Sequence, residues 1–461
     1  MSNKSIDLGT GKIGKLLFTL AIPTIIGQVV NLLYNIIDRI FIGKMPNGDL
    51  AMAGVGVAMP IILLVAAFAM LFAAGGAPLT AIEMGKQDND KAEEIMGNSL
   101  VMLIGVGLIL TIVFLIFKES ILWAFGASEV TIGYGLDYLS IYLIGTVFVQ
   151  IALGMNLYIN TQGFTKIGMI TVMLGAVINI VLDPILIFSL NMGVKGAALA
   201  TIISQGISAI FILKFLFSKK SILKIRKKYL KINKKLALSM LALGIAPFIM
   251  QSTESLVLVS LNNQLARYGG DLAIGAMTIM SSIMQLITMP LMGLTQGAQP
   301  IMSYNFGAKQ IDRVKSTFKL LFAACLSYSF VVVVSIMTLP EFFVSVFNNK
   351  PELVEITSWS MRIYFVGMSL FGAQIACQQT FLALGQAKIS LIIAMLRKIV
   401  LLVPLIFILP MFMKDGLTAV LLAEPVADII AIISTVIIFV RFYTKTFNNK
   451  QEKYNEAINN I

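Results

Sequence analysis

Gln28, Asn31, Asn35 and Asp38 stand at steps of three, four and three inside a stretch that is otherwise apolar. At roughly 100° per residue they fall within an arc of about 80° on a helix, one polar stripe that ends in a carboxylate. Asn179 and Asp183, one turn apart, make a second polar face, and Pro184 follows directly. Proline cannot donate to the carbonyl of Ile180, which frees a backbone oxygen beside the acid. Thr201 contributes a hydroxyl from the next apolar stretch. Two carboxylates, an amide, a hydroxyl and a bare carbonyl form an oxygen-rich set suited to Na⁺ or to a shared proton. Neighbouring carboxylates repel when both are charged, and either guest relieves that. Ionised groups at bilayer depth are costly and usually face a cavity, so Asp38, Asn179, Asp183 and Thr201 are expected to be a cation-binding site. As a metal site, it would be one for Na⁺. The alternative is polar glue between helices.

The second half offers other ionisable residues in apolar stretches: Glu254, Arg362, Arg397, Lys398, Glu424 and Asp428. Glu254 is the candidate there for a polar cavity, and Arg397 is expected to pair with an acid. Met277, Met280, Met284, Met289 and Met292 crowd one stretch with Gln285, Gln296 and Gln299. Thioethers can line an adaptable cavity, which makes Met284 a candidate, or simply fill gaps in packing.

Enzymatic chemistry has little to work with. The chain contains no histidine, which excludes imidazole metal sites and His-based triads. Cys325 and Cys377 lie in apolar stretches and read as small packing residues. Gly9–Lys15 has the spacing of a phosphate-binding loop, but Leu16 stands where a Ser or Thr must hold magnesium and no strand precedes it. That segment reads instead as a basic, flexible anchor at the amino terminus. No enzyme activity and no cofactor are expected.

The elements that must position these residues are membrane helices. With 58% hydrophobic and 13% charged residues and a mean hydropathy of +0.89, the chain cannot be a soluble globule. Twelve stretches reach spanning length: 14–42, 50–82, 95–117, 132–158, 163–189, 196–217, 237–265, 271–304, 316–339, 356–383, 389–410 and 416–441. The two halves repeat at an offset of 222 residues. Gly48-Asp49-Leu50-Ala51 recurs as Gly270-Asp271-Leu272-Ala273, Gly75, Pro78 and Gly85 as Gly297, Pro300 and Gly307, and Gly163 as Gly385. An even number of spans per repeat gives both halves one orientation. The expected fold is therefore all-α, with twelve transmembrane helices in two six-helix lobes related by a pseudo-two-fold axis along the membrane normal. Such a seam between like bundles can expose itself to one side of the membrane at a time.

The domains expected are an amino-terminal lobe over 1–217, a basic linker over 218–236, a carboxy-terminal lobe over 237–441 and a tail over 442–461. Nine Lys or Arg fall between Lys219 and Lys235, whereas outward loops carry only Lys44, Lys118, Lys195, Arg267, Lys350 and Lys414. This asymmetry puts both termini in the cytoplasm. It also accounts for the net charge of +12 without a nucleic-acid partner. In the linker, Ile222, Ile225, Tyr229, Ile232 and Leu236 form one stripe, which predicts a basic helix lying on the anionic leaflet.

At Asn35-Ile36-Ile37-Asp38-Arg39-Ile40-Phe41-Ile42-Gly43, at Asn179 through Phe188 and at Gly193-Val194-Lys195-Gly196-Ala197-Ala198, the chain resembles the MATE (multidrug and toxic compound extrusion) family. An early Ala21-Ile22-Pro23 and the duplicated halves extend the likeness over nearly the whole chain. The resemblance implies an antiporter exporting small cationic, amphipathic compounds in exchange for H⁺ or Na⁺, of the bacterial and archaeal drug-export branch. It places the protein in the cytoplasmic membrane, among lipid, working as a monomer. By this likeness Asp38, Asn179, Asp183 and Thr201 fall at the cation site, with Tyr34 and Asn156 lining the same cavity. A lipid-linked oligosaccharide flippase of the same superfamily is the alternative. Such proteins line their cavity with basic groups, whereas the first-half candidates here are acidic.

Overall fold

Apolar side chains make a lipid-facing exterior, and in lipid every backbone N–H and C=O must be paired within the segment, which forces helices. A computed structural model describes residues 7–347 and 350–447. The described residues contain no strand. The first half comprises α1 (Ile13–Gly43), α2 (Gly48–Gly85), α3 (Asn89–Ala124), α4 (Ile132–Ile144), α5 (Thr146–Thr161), α6 (Thr165–Pro184) and α7 (Val194–Phe217). The second comprises α8 (Lys234–Gly307), α9 (Ile311–Thr338), α10 (Pro340–Ser345), α11 (Pro351–Tyr364), α12 (Phe371–Ala383), α13 (Ala387–Met395), α14 (Val403–Phe412) and α15 (Gly416–Phe447). α8 breaks at Gly270, whose φ of 63° only glycine adopts without strain. That break stands 222 residues after Gly48, where α2 begins.

Among the described residues ten helices are by themselves long and apolar enough to cross a membrane, and α4 with α5, bent by 59°, makes an eleventh. The remaining expected segment, 356–383, is present but divided. A 3₁₀ turn at Gly367–Leu370 separates the 14 residues of α11 from the 13 of α12. Gly367 is the repeat of Gly145, the residue between α4 and α5, so both halves break one span at the same place.

The repeated glycines close the seam between the halves. A Cβ on Gly85 would stand 2.0 Å from the Tyr304 carbonyl oxygen, and one on Gly307 would stand 2.0 Å from that of Ile82. Since 82 + 222 = 304 and 85 + 222 = 307, these are one contact made twice about the pseudo-two-fold axis. Gly75 lies against Met240 and Gly244 against Leu71, while Gly293 and Gly297 lie against Ile25 and Ala21. Thus α2 packs on the first part of α8, and the second part of α8 packs on α1.

At this sealed end two leading segments strap across the halves, and both depart from the sequence expectation. The linker is not a helix apart from a 3₁₀ turn at Lys227–Tyr229. The start of α3 pulls it into extended form: Lys224 N donates to Glu93 (2.9 Å), Arg226 pairs with Glu93 (2.6 Å), Tyr229 Oη donates to Asp90 (2.7 Å), and Asn233 N donates to Asn98 (2.6 Å). Leu223 and Ile225 are buried and Ile222 and Ile232 exposed, so the expected single stripe does not form. Nor is the amino terminus a free anchor. Leu8 is buried, Asn305 Nδ2 and Arg313 Nη2 donate to its carbonyl at 2.9 and 3.2 Å, and Asp7 accepts from Gly9 N and Thr10 Oγ1. At the other end of the chain, α15 continues beyond 441 to Phe447, and the rest of the expected tail lies outside the described residues.

Candidate functional site

The first-half polar residues gather where α1, α6 and α7 meet. Asp38, Asn179, Asp183 and Thr201 are all buried, Asp183 completely. Asn179 Nδ2 donates to Asp183 Oδ1 at 3.3 Å, as residues one helical turn apart can. The Asp38 carboxyl approaches that of Asp183 from α1. Thr201 Oγ1 spends its proton on the carbonyl of Ala197 at 3.0 Å, which leaves its oxygen able to accept. Tyr138 of α4 brings its hydroxyl beside Thr201. Pro184 ends α6, and a π turn at Ile185–Ser189 continues it, as expected where a missing N–H breaks the α-helical register.

Asp38 Oδ1, Asn179 Oδ1 and Asp183 Oδ2 are buried acceptors with no partner. Buried polar atoms are nearly always hydrogen-bonded, so three orphaned oxygens in one cluster leave acceptors free for a positive guest. Two carboxylate oxygens, an amide oxygen and a hydroxyl oxygen suit a hard monovalent cation or a proton. Among the described residues no group of three Asp, Glu, Cys or His converges, as a transition-metal site would need.

A cavity of about 120 Å³ lies beside this cluster, against the seam. Gln28, Asn31, Tyr34 and Asn156 line it, as expected. Asn156 holds the Gly168 carbonyl at 3.0 Å and the Thr171 hydroxyl, and Asn160 donates to Asn156 at 3.1 Å. Gln296 closes the cavity from the second half by accepting from Gln28 Nε2 at 3.1 Å. Tyr34 joins cavity to cluster: its hydroxyl meets Gln205, and it lies in the field of both Asp38 and Asp183.

Three expected cavity residues sit elsewhere. Asn35 is exposed, with its amide donating to the Asn31 carbonyl at 2.7 Å, and the cavity lining on α1 ends at Tyr34. Met284 packs against the second-half core. Glu254 is about half exposed and pairs with Lys398. Ser204, Gln205 and Ser208 line the cavity but were missed from the sequence. Their signal was there, since with Thr201 they occupy i, i+3, i+4 and i+7 on α7.

Arg397 pairs with acids, as expected, and holds two at once, Nε to Asp428 Oδ1 at 2.6 Å and Nη2 to Glu424 Oε1 at 3.0 Å. Cys325 and Cys377 are free, buried and part of the apolar core.

A multidrug export protein MepA from Staphylococcus haemolyticus is 28% identical over 421 residues, 90% of this chain and 92% of that one. MepA from Staphylococcus aureus is 26% identical over 424 residues, 92% and 93% of the two chains. A solved structure described as the outward-facing conformation of a multidrug resistance MATE family transporter superposes with a TM-score of 0.89 at 23% identity, over 96% of this chain and 99% of that one, and shares the fold. The family model for MatE matches residues 23–185 and 245–408, one block in each half and more than half of the chain. The two-lobed helical bundle described above thus belongs to the MatE family of membrane transporters.

Proposed function

We propose that this chain is a multidrug exporter of the cytoplasmic membrane that works as an antiporter. It exchanges small cationic, amphipathic compounds for H⁺ or Na⁺ bound at Asp38, Asn179, Asp183 and Thr201. The observation that carries the reading is the set of orphaned buried oxygens on Asp38, Asn179 and Asp183, beside a cavity that reaches the seam. The lining is amide, hydroxyl and apolar, with no Lys or Arg, which suits a cationic guest and not the pyrophosphate of a lipid-linked oligosaccharide. The names of the MepA relatives point the same way.

At about 120 Å³ the cavity is smaller than the roughly 300–1,000 Å³ of drug-sized sites, so cargo requires the lobes to part. The sealed end carries the linker lysines, and by the positive-inside rule it faces the cytoplasm, with both termini. In this reading cargo enters when the glycine contacts between α2 and α8 open. Cation binding to the acid cluster then favours the return, since two ligands that bias one equilibrium in opposite senses compete wherever their sites lie.

The test is efflux of a fluorescent organic cation from loaded vesicles, with the pH and Na⁺ gradients collapsed separately. Efflux should stop with one of the two. Undiminished efflux after both are collapsed rules out the antiport.

A further inference from the structure

The second half carries an ionic cluster on the helices that repeat α1, α6 and α7. Subtracting 222 from 254, 397, 424 and 428 gives 32, 175, 202 and 206, which lie on α1, α6, α7 and α7. The scaffold around the first-half acids is therefore present twice, with different side chains in it.

In the second copy the acids are Glu424 and Asp428, both buried, one turn apart on α15. Between them lies the Arg397 guanidinium, bound to each and resting 4.6 Å from the centre of the Phe371 ring. Lys398 is also buried and donates to the Met250 carbonyl at 2.8 Å and to Glu254, which stands half exposed at the rim. The buried part of the cluster thus holds two cations against two acids. The first-half cluster has two buried acids and no buried Lys or Arg. Its nearest basic residue, Arg39, is exposed.

Arg397 and Lys398 sit in a π segment, Leu396–Leu402, between α13 and α14. Such a bulge shifts side chains from the positions a regular helix would give them, and it is often found at functional sites. Glu424 Oε2 and Asp428 Oδ2 are buried without a hydrogen bond, with the Tyr364 hydroxyl beside Glu424, so the guanidinium does not exhaust the acceptors around it. The cluster does not stand at the repeats of the first-half acids, since Ser260, Leu401 and Leu405 repeat Asp38, Asn179 and Asp183. It uses the same three helices, however, and a buried pair kept there adds little stability over apolar packing.

We propose that Glu424 and Asp428 form a second site for a monovalent metal cation such as Na⁺, filled permanently in this chain by the guanidinium of Arg397. The first-half cluster needs a mobile guest because no side chain neutralises it. The second needs none because the chain supplies its own. On this account the chain exchanges its cation through one half only, and one substitution would uncover the other site. The proposal takes from the proposed function only the reading of the first-half cluster as a cation site, and the experiment separates the two.

Binding of radiolabelled Na⁺ and thermal unfolding in NaCl or choline chloride are measured on four purified full-length proteins: wild type, Asp38→Asn, Asp38→Asn/Arg397→Met, and that double variant with Asp428→Asn added. Methionine keeps the length of the arginine stem without its charge. The step from wild type to Asp38→Asn reports on the first-half site alone. The step from Asp38→Asn to the double variant should add one bound Na⁺ per chain and make the unfolding temperature rise with Na⁺, as a ligand that binds only the folded state requires. Adding Asp428→Asn should remove both effects. A folded double variant that binds no more Na⁺ than its parent overturns the proposal, as does extra binding that survives Asp428→Asn. So does stabilisation by acid in choline without any by Na⁺, since that makes the guest a proton. A double variant that fails to fold even in high NaCl overturns it too, because a real cation site must accept a cation in place of the guanidinium.

Discussion

Replacing Gly85 with alanine tests the idea that the glycine contacts are the gate. The added Cβ would meet the Tyr304 carbonyl oxygen at 2.0 Å, the Ala308 nitrogen at 2.8 Å and the Tyr304 carbonyl carbon at 2.9 Å. Ordinary contact begins near 3.4 Å, so α2 and the end of α8 must separate by 3.4 − 2.0 = 1.4 Å. All three obstacles are backbone, and no rotamer change relieves them. Overpacking of this kind costs about 1–3 kcal/mol, and here the cost falls only on the state in which the two helices touch. Converted at about 1.4 kcal/mol per factor of ten, the balance moves some 5- to 150-fold toward the state with this end open.

The readout is the distance between spin labels on Asn89→Cys and Asp312→Cys, which are exposed at the sealed end of opposite halves. The native Cys325 and Cys377 are buried and need not be removed. Wild type should show a dominant short distance. Gly85→Ala should move much of the population to a longer one and slow export several-fold. Gly307→Ala, the symmetric contact, should do the same. Unchanged distances together with unchanged export would refute the reasoning, because the seam would then close in no state that transport visits.

Three further outcomes follow from the same structure. Asp38→Asn and Asp183→Asn should each bring efflux to background with normal membrane insertion, and near-normal efflux from either would remove both acids from the coupling site. Pro184→Ala restores an N–H that can reach the Ile180 carbonyl and should regularise the π turn at Ile185–Ser189, slowing turnover several-fold in purified protein while drug binding stays nearly constant; lost binding with unchanged turnover would mean that the proline shapes the site and does not move it. The Thr10 hydroxyl, and after it the Gly9 amide, hold the Asp7 carboxyl below its ordinary 3.8, so its contribution to the amino-terminal strap is complete above that value and is lost only as pH falls through the lowered one. Asp7→Ala should therefore expose the amino terminus to proteolysis at neutral pH, where wild type resists, and equal digestion of the two would show that the turn holds nothing.

Sequence and structure agree best where the signal is a spacing along one helix. The stripe from Gln28 to Asp38, the Asn179–Asp183 face and the divided repeat could all be read from residue numbers, because periodicity and duplication are one-dimensional. Contacts between helices could not. Asn35 belongs to the stripe by angle, yet the cavity has ended by the time α1 reaches it. Glu254 was a reasonable cavity acid until Lys398, 144 residues away, claimed it. The linker lysines and isoleucines fit a helix wheel, but Asp90, Glu93 and Asn98 of α3 offer its backbone and side chains better partners than helix formation does. For Glu254 and the linker the deciding partner lay on another element.

The same distinction explains why one half can differ chemically from the other while the backbone repeats. Gly85 and Gly307 make the same contact from opposite sides of the axis, so a change in either leaves a mismatch that its twin cannot absorb. The two buried ionic clusters are each held within one half. Asp38 and Asp183 meet within the first half, and Arg397, Glu424 and Asp428 meet within the second. Each cluster can therefore change without disturbing the glycine seam, provided that its own charges are balanced. A duplicated transporter can thus keep its symmetric glycine contacts while the chemistry of its two halves diverges.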